Sequence, residues 1–441
     1  MRRTFLRTGF LSAGLGIIVY SATLFIPKFQ TLGNDYSPPV PEFSSFRISN
    51  DFSQNDDFER FEAQMDKFMA KWGIVGVSVA IAKDDRLIYA KGFGQADKEA
   101  NQMVQPYNLF RIASASKLVT AIGIMKMVED GIISLETNVF GPNGILDDSI
   151  YRNYIDPRVE LITVRQLLDH SAGWTNRYGD HMFMPTVVAK KLNKQLPVDE
   201  NDIIRFALVH RLHFQPGSYS SYSNLGYVIL GKVIEKVSGL DYENFIKTRV
   251  LFPLGIYDMS IGGSYLSERK DIEVKYYEAD NSILVEDHNG SGEMVLRSYG
   301  GNDIKCLGAA GGWIASSTDL MKLMLAVNEN PAFKDILSPK TIDEMVNPMD
   351  SQKSPLGWRR INEFEWVRTG TLASTSAIMV QRKDGISYVM ISNTGSWKGS
   401  DFTSEIERHM NRSITLINSW PDTDLFKVSF TSMQPLESKI F

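Results

Sequence analysis

The chain is 441 residues long, and its 47 Lys and Arg against 52 Asp and Glu leave a formal charge of −5. With 43% hydrophobic, 11% aromatic and 22% charged residues, it has globular composition, which excludes a disordered, collagenous or coiled-coil chain. The mild acidity argues against a nucleic-acid partner, and one cysteine (Cys306) with six histidines, none paired as HExxH, excludes a disulfide framework and argues against a zinc centre.

In chain order, the first element is a basic start, Met1-Arg2-Arg3-Thr4-Phe5-Leu6-Arg7, followed by twenty uncharged residues from Thr8 to Pro27. At about 1.5 Å per residue such a helix spans about 30 Å, the hydrocarbon thickness of a bilayer. The Arg2-Arg3 run resembles a bacterial twin-arginine export signal. Residues 1–29 are therefore expected to be a cleaved signal or a membrane anchor inserted through residues 8–27, with the body periplasmic or on the outer face of the inner membrane. No cysteine follows the apolar run, so a lipoprotein anchor is excluded. Residues 30–55, with Pro38, Pro39 and Pro41, read as a linker. Residues 56–420 read as the folded body and 421–441 as a tail.

Within the body, Phe58, Phe61, Met65, Phe68 and Met69 share one face at helical spacing and predict an amphipathic helix. Val75–Ala82 and Leu87–Phe93 are β-rich and predict a hairpin across Lys83-Asp84-Asp85-Arg86. Lys117–Asp130 is a largely apolar helix closed by Gly131. Thr163–His170 and Asn201–His210 are shorter helices, and Leu225–Val237 is a strong one closed by Gly239. Thr318–Asn328 and Pro339–Val346 follow. Ala377–Arg382 and Ser387–Ser392 are strands joined through Lys383-Asp384-Gly385, and a helix over about 402–416 ends the body. Strands at both ends with helices between them predict an α/β (α+β) fold: one antiparallel sheet formed from both ends of the body, flanked by helices, with a mostly helical inserted region.

Three short patterns carry chemistry. Ser114-Ala115-Ser116-Lys117 opens the apolar helix; residues three apart share a helical face, so the Lys117 amine can reach the Ser114 hydroxyl. A serine becomes a competent nucleophile when a base takes its proton, and a desolvated lysine can be that base. Ser267-Glu268-Arg269-Lys270 matches the same pattern in a charged stretch and reads as a surface pair. Tyr222-Ser223-Asn224 lies in a loop entering a helix, where a phenol can relay a proton and an amide can orient Lys117 or a substrate carbonyl. Tyr151/Asn153 and Tyr242/Asn244 repeat that spacing without the Pro216-Gly217 lead-in. Arg368-Thr369-Gly370-Thr371 precedes the last hairpin; a glycine on an edge strand admits close backbone approach, and the Thr371 and Ser114 N–H groups together make a candidate oxyanion hole.

In this order the patterns resemble the serine β-lactamase and DD-peptidase superfamily, specifically its class C-like branch. The resemblance runs from about Phe58 to Gly395. It includes Phe110 to Lys117, Ile162 to Gly173, Pro216-Gly217 to Tyr227, Leu251-Phe252-Pro253-Leu254-Gly255, Ala309 to Trp313 and Arg368 to Thr371. It implies a site between an antiparallel sheet and a helical region, working without metal or organic cofactor. Ser114 would be the acylated nucleophile, Lys117 its base partner, Tyr222 the proton relay, Asn224 a ligand of lysine and substrate, and Arg368, Thr369, Gly370 and Thr371 the substrate-facing strand. His170 falls in a family signature and reads as structural. The branch usually opens its third motif with Lys or His; here Arg368 stays protonated and can hold a carboxylate through two hydrogen bonds.

The function so implied is an exported serine acyl-hydrolase acting on D-amino-acid peptides or related amides of the cell wall, with peptidoglycan fragments as the expected partner. An esterase or β-lactamase with the same residues is the alternative, and a non-catalytic penicillin-binding-like sensor is the alternative from another class.

Overall fold

The computed structural model describes residues 47–279, 283–328, 333, 335–348 and 352–428. The expected export segment lies outside the described residues, as does most of the linker and the end of the tail. Among the described residues no helix is long and apolar enough to cross a membrane.

Seven strands build the central sheet: β1 (Gly76–Lys83), β2 (Arg86–Asp97), β3 (Gln102–Met103), β4 (Arg360–Ile361), β5 (Glu365–Leu372), β6 (Thr375–Arg382) and β7 (Ile386–Ser392). Their order is β3-β2-β1-β7-β6-β5-β4. All neighbours are antiparallel, and the two ends of the body meet where β1 pairs with β7, from Val77 opposite Ser392 to Lys83 opposite Ile386. This is the expected sheet. The β1–β2 turn places Asp84 and Asp85 at φ 49° and 60°, the pair of left-handed positions that a tight hairpin requires and that Asp tolerates.

Side chains alternate between the faces of a strand, and both faces here are covered. On one face Val77, Val79, Ile81, Tyr388 and Met390 pack with Phe61, Met65 and Phe68 of α1 (Glu59–Trp72) and with Phe402, Ile406 and Met410 of the C-terminal helix. On the other, Ala80, Ala82, Ala377, Met379, Val389 and Ile391 join the main core with the inserted helices. That region is centred on α2 (Ser116–Glu129), α3 (Asn224–Ser238) and α4 (Ile304–Gly311). Helix α2 is apolar on nearly every side because it runs through the middle of the core.

Several expectations are corrected. Residues 47–55 are docked on β2: Asn50 Oδ1 accepts from Gly92 N (2.7 Å), and Ser53 Oγ donates to Ala90 O (2.8 Å), satisfying backbone groups that the sheet leaves open. The start of the tail is likewise packed, with Leu425 buried and Asp424 accepting from Leu87 N. The helix expected over 163–170 spans only Val164–Leu168, since His170 turns to φ 63°. Helix α4 was not anticipated. Its Gly308-Ala309-Ala310-Gly311-Gly312 end reads as a helix breaker, and the backbone is indeed non-helical at Gly308, but an Asp303 cap and burial hold the turns on either side.

Candidate active site

Ser114 sits in a tight turn, Ala113–Ala115, immediately before α2. Ala113 in front of it has φ 47°, a left-handed conformation that costs a non-glycine residue and is characteristic of built sites. The first turn of α2 then brings Lys117 under the serine. Lys117 Nζ lies 3.4 Å from Ser114 Oγ, and donates to Asn224 Oδ1 (2.6 Å) and to the Ala310 carbonyl (2.6 Å). It is fully buried. Asn224 is the first residue of α3, whose start is fixed by Ser223 Oγ accepting from Gly226 N (3.2 Å). Tyr222, one residue before that cap, places its hydroxyl 2.5 Å from Ser114 Oγ.

The electrostatics follow from this crowding. Burial pulls the Lys117 ammonium below the usual lysine range; the nearby Tyr222 opposes the shift and the Arg368 cation adds to it. Burial alone would raise the Tyr222 phenol, but the Lys117 and Arg368 charges beside it outweigh that and bring it below its ordinary value. His170 is held far below the ordinary histidine range, first by burial and then by the Lys117 charge. It is thus neutral: its Nδ1 accepts from Ser223 N (3.3 Å), and its ring packs 4.8 Å from that of Tyr222. That geometry supports Tyr222 from behind, in keeping with a structural histidine.

Strand β5 forms the opposite wall. Its edge is open from Arg368 to Leu372, because β4 pairs only with Trp366 and Val367. Gly370 is where the strand meets the nucleophile turn. A Cβ there would collide with the Ile112 carbonyl oxygen and stand 2.8 Å from Ala115 N and 2.9 Å from Ser114 N, so only glycine lets the two backbones approach this closely. The side chain of Arg368 does something the sequence did not indicate. It is 1% exposed, and its Nε (2.8 Å) and Nη2 both donate to the Ser114 carbonyl. The fork expected to hold a substrate carboxylate instead grips the nucleophile's own backbone.

The eight predicted site residues converge. Ser114, Tyr222, Asn224, Arg368, Thr369, Gly370 and Thr371 line one cleft of about 350 Å3, with Lys117 beneath Ser114. The competing matches lie elsewhere. Lys270 donates to Ser260, Tyr151 donates to Asn201, and Tyr242 is a core residue bonded to Thr120 and Trp313. Three residues escaped sequence reasoning. Asp180 accepts from Asn224 Nδ2 (2.7 Å) while its other oxygen caps Met182 N (3.0 Å), which orients the amide with its oxygen toward Lys117. Ala310 supplies the second lysine acceptor from the unanticipated α4. Arg359, exposed on the cleft wall, makes no ion pair among the described residues. Asp180 and Arg359 stand in no motif, and Ala310, though inside the Ala309 to Trp313 stretch, gave no sign of its bond to Lys117; the fold brings all three to the site.

Comparison with known proteins agrees with this fold. The beta-lactamase family model matches residues 61–408. The chain is 23% identical over 368 residues to protein flp of Staphylococcus aureus (strain COL), covering 82% of this chain and 67% of that protein. Among solved structures, it resembles the octameric penicillin-binding protein homologue from Pyrococcus abyssi, with a TM-score of 0.59 and 26% identity over 83% of this chain and 78% of that one. It also resembles the D-amino acid amidase from Ochrobactrum anthropi SV3 in complex with D-phenylalanine, with a TM-score of 0.64 and 23% identity over 82% of this chain and 99% of the amidase.

Proposed function

Since the chain belongs to the beta-lactamase family and is a serine hydrolase of that kind, we propose that it cleaves D-amino-acid peptides or related amides through an acyl-enzyme on Ser114. The observation that carries this reading is the placement of Ser114 Oγ between Tyr222 Oη at 2.5 Å and Lys117 Nζ at 3.4 Å. With two Lys117 N–H groups spent on the Asn224 and Ala310 carbonyl oxygens, a neutral amine has its lone pair left for the serine side. Burial favours that neutral form.

In the forward step the Ser114 proton passes to the Tyr222–Lys117 pair as Oγ attacks the substrate carbonyl. The oxyanion is received by the Ser114 and Thr371 N–H groups. Tyr222 returns the proton to the leaving nitrogen, the C–N bond breaks, and an ester on Ser114 remains. Water then attacks that ester by the reverse proton path, releasing the acid and restoring the serine hydroxyl.

The D-amino acid amidase likeness supports an amide with a D-configured residue. The Arg368 fork is occupied, so a leaving-group carboxylate falls to Arg359, the exposed cation on the same wall. Residues 1–29 support export, with the enzyme in the periplasm or held at the outer face of the inner membrane through residues 8–27 and supplied with peptidoglycan fragments. A labelled penicillin or a fluorophosphonate tests the nucleophile: a mass increment is expected on the tryptic peptide bearing Ser114 and on no peptide of Ser114→Ala. The absence of an adduct on the wild type, or its persistence in the variant, refutes the assignment. A panel of a D-Ala-D-Ala peptide, a chromogenic cephalosporin and a p-nitrophenyl ester separates the amidase reading from a β-lactamase or an esterase.

A further inference from the structure

The catalytic cleft does not end at Thr371. Past it, a second and larger groove of about 860 Å3 bends around the β5–β6 turn to Trp397. Phe183, Thr371 and Leu372 line both spaces, so the two are continuous. The groove carries features that the fold leaves facing solvent, although Trp397 also meets the Trp72 ring at 6.2 Å and the Lys398 ammonium at 5.5 Å. Trp397 is 79% exposed and Phe183 43% exposed, a costly way to present aromatic surface to water. Arg297 is exposed and, among the described residues, has no ion pair. Ser374, at the turn between β5 and β6, is buried with φ 62°.

The direction of a bound substrate is set by the proton path. The leaving nitrogen must receive its proton from Tyr222, and Tyr222 stands beside Arg368. The leaving group therefore lies toward the Arg368 and Arg359 end of β5. The acyl portion must run the other way, past Thr371 and Leu372. There the open edge of β5 offers backbone groups to an extended chain.

We propose that this groove is the acyl-side subsite, and that the enzyme prefers an extended acyl peptide with an apolar or aromatic residue for Trp397 and Phe183 and an acidic terminus for Arg297. The inference rests on the acyl-hydrolase reading above and adds the class of substrate that the site takes. Binding energy gained remotely in this groove is available to the reacting bond, so truncation of the acyl side lowers kcat as well as affinity.

The test compares two peptides with the same D-Ala leaving group on the full chain. One is acetyl-D-Ala-D-Ala; the other is succinyl-Leu-Phe-D-Ala-D-Ala. The kcat/KM of the extended peptide is expected to exceed that of the short one by about tenfold or more. Trp397→Ala should cut the extended-to-short ratio about tenfold, as loss of an aromatic anchor does. With a third peptide, acetyl-Leu-Phe-D-Ala-D-Ala, as control, Arg297→Gln should abolish the advantage of the succinyl over the acetyl cap, and in the wild type that advantage should shrink with added salt. Equal kcat/KM for the two peptides, or variants that lower both equally, overturns the subsite while leaving the acyl-hydrolase reading intact. Failure of both peptides and of labelled penicillin to acylate Ser114 overturns the reading beneath it.

Discussion

Replacing Gly370 by alanine tests whether close approach of β5 to the nucleophile turn underlies catalysis. The added methyl would overlap the Ile112 carbonyl oxygen and sit 2.8 and 2.9 Å from the amide nitrogens of Ala115 and Ser114. Ordinary carbon–nitrogen contact is about half an ångström longer, and all three obstacles are backbone atoms that no rotamer change can clear. Ile112 is tied down, because its N–H donates to Trp313 O at 3.0 Å and its side chain is fully buried. The strand must therefore retreat, by about 1 Å to clear the Ile112 oxygen, and Thr371 retreats with it. A donor displaced by that much no longer reaches the oxyanion, and loss of one such donor costs about 10²–10³ in rate. The Arg368 bonds to the Ser114 carbonyl, two residues earlier on the same strand, lengthen as well. Overpacking of this size costs about 1–3 kcal/mol of stability, which a protein with this much buried core should survive. Single-turnover acylation by a labelled penicillin or an activated ester, run beside thermal unfolding, reads both quantities. A folded Gly370→Ala protein that acylates within about threefold of wild type would refute the argument, since the predicted barrier increase is at least about 2.7 kcal/mol.

Four further outcomes are expected. Arg359→Ala should lower kcat/KM about tenfold or more for substrates with a carboxylate on the leaving group and leave neutral esters nearly unchanged, whereas Arg368→Ala should impair both classes, because that arginine holds the Ser114 carbonyl. Asp180→Ala should free the Asn224 amide to turn its NH2 group toward Lys117 and cost about tenfold in kcat, with Asp180→Asn, which keeps an acceptor, largely restoring it. The pH profile of kcat/KM should rise along a one-proton limb with its midpoint below that of free lysine or tyrosine, because Lys117 and Tyr222 are both held down; Arg368→Met removes a cation that lowers both and should move the limb to higher pH, while Arg368→Lys should not. Finally, His170 binds its proton more weakly folded than unfolded, so stability is complete above the unfolded value and falls as pH drops below about 6.5, by about 1.4 kcal/mol per pH unit; in denaturant titrations at pH 7 and pH 5, His170→Gln should lose less stability than wild type on acidification.

What was legible in the sequence was what local spacing determines. The Ser114–Lys117 pair is one helical turn, Ser223-Asn224 is a helix start, and β1, β6 and β7 are β-rich runs bounded by turn residues, all readable without reference to the rest of the chain. Glycine at 370 was legible as a point of close approach, though not as the point at which β5 meets the nucleophile turn. The illegible parts arise from separation along the chain. Helix α4 contradicts its own glycines because burial overrides propensity there. The Asp180 to Asn224 bond joins residues 44 apart, and both partners are ordinary loop and cap residues when read alone.

Arg368 shows why a motif residue need not carry the role its chemistry suggests. Chemistry alone assigns an arginine in that place to a substrate carboxylate, since its fork is made for two parallel bonds. The fold offers the fork a nearer acceptor, the Ser114 carbonyl, 254 residues away in sequence. A guanidinium committed to that carbonyl still places its charge beside Tyr222 and Lys117, so it continues to lower the proton affinity of both. It is lost only as a free ligand. The two duties that one residue seemed able to perform are therefore divided. Arg368 poises the nucleophile from within the protein, and recognition of an anionic leaving group passes to Arg359 on the open wall. Substitutions at the two positions should accordingly differ in kind: at 368 the pH dependence of acylation moves for every substrate, and at 359 only the preference among substrates changes.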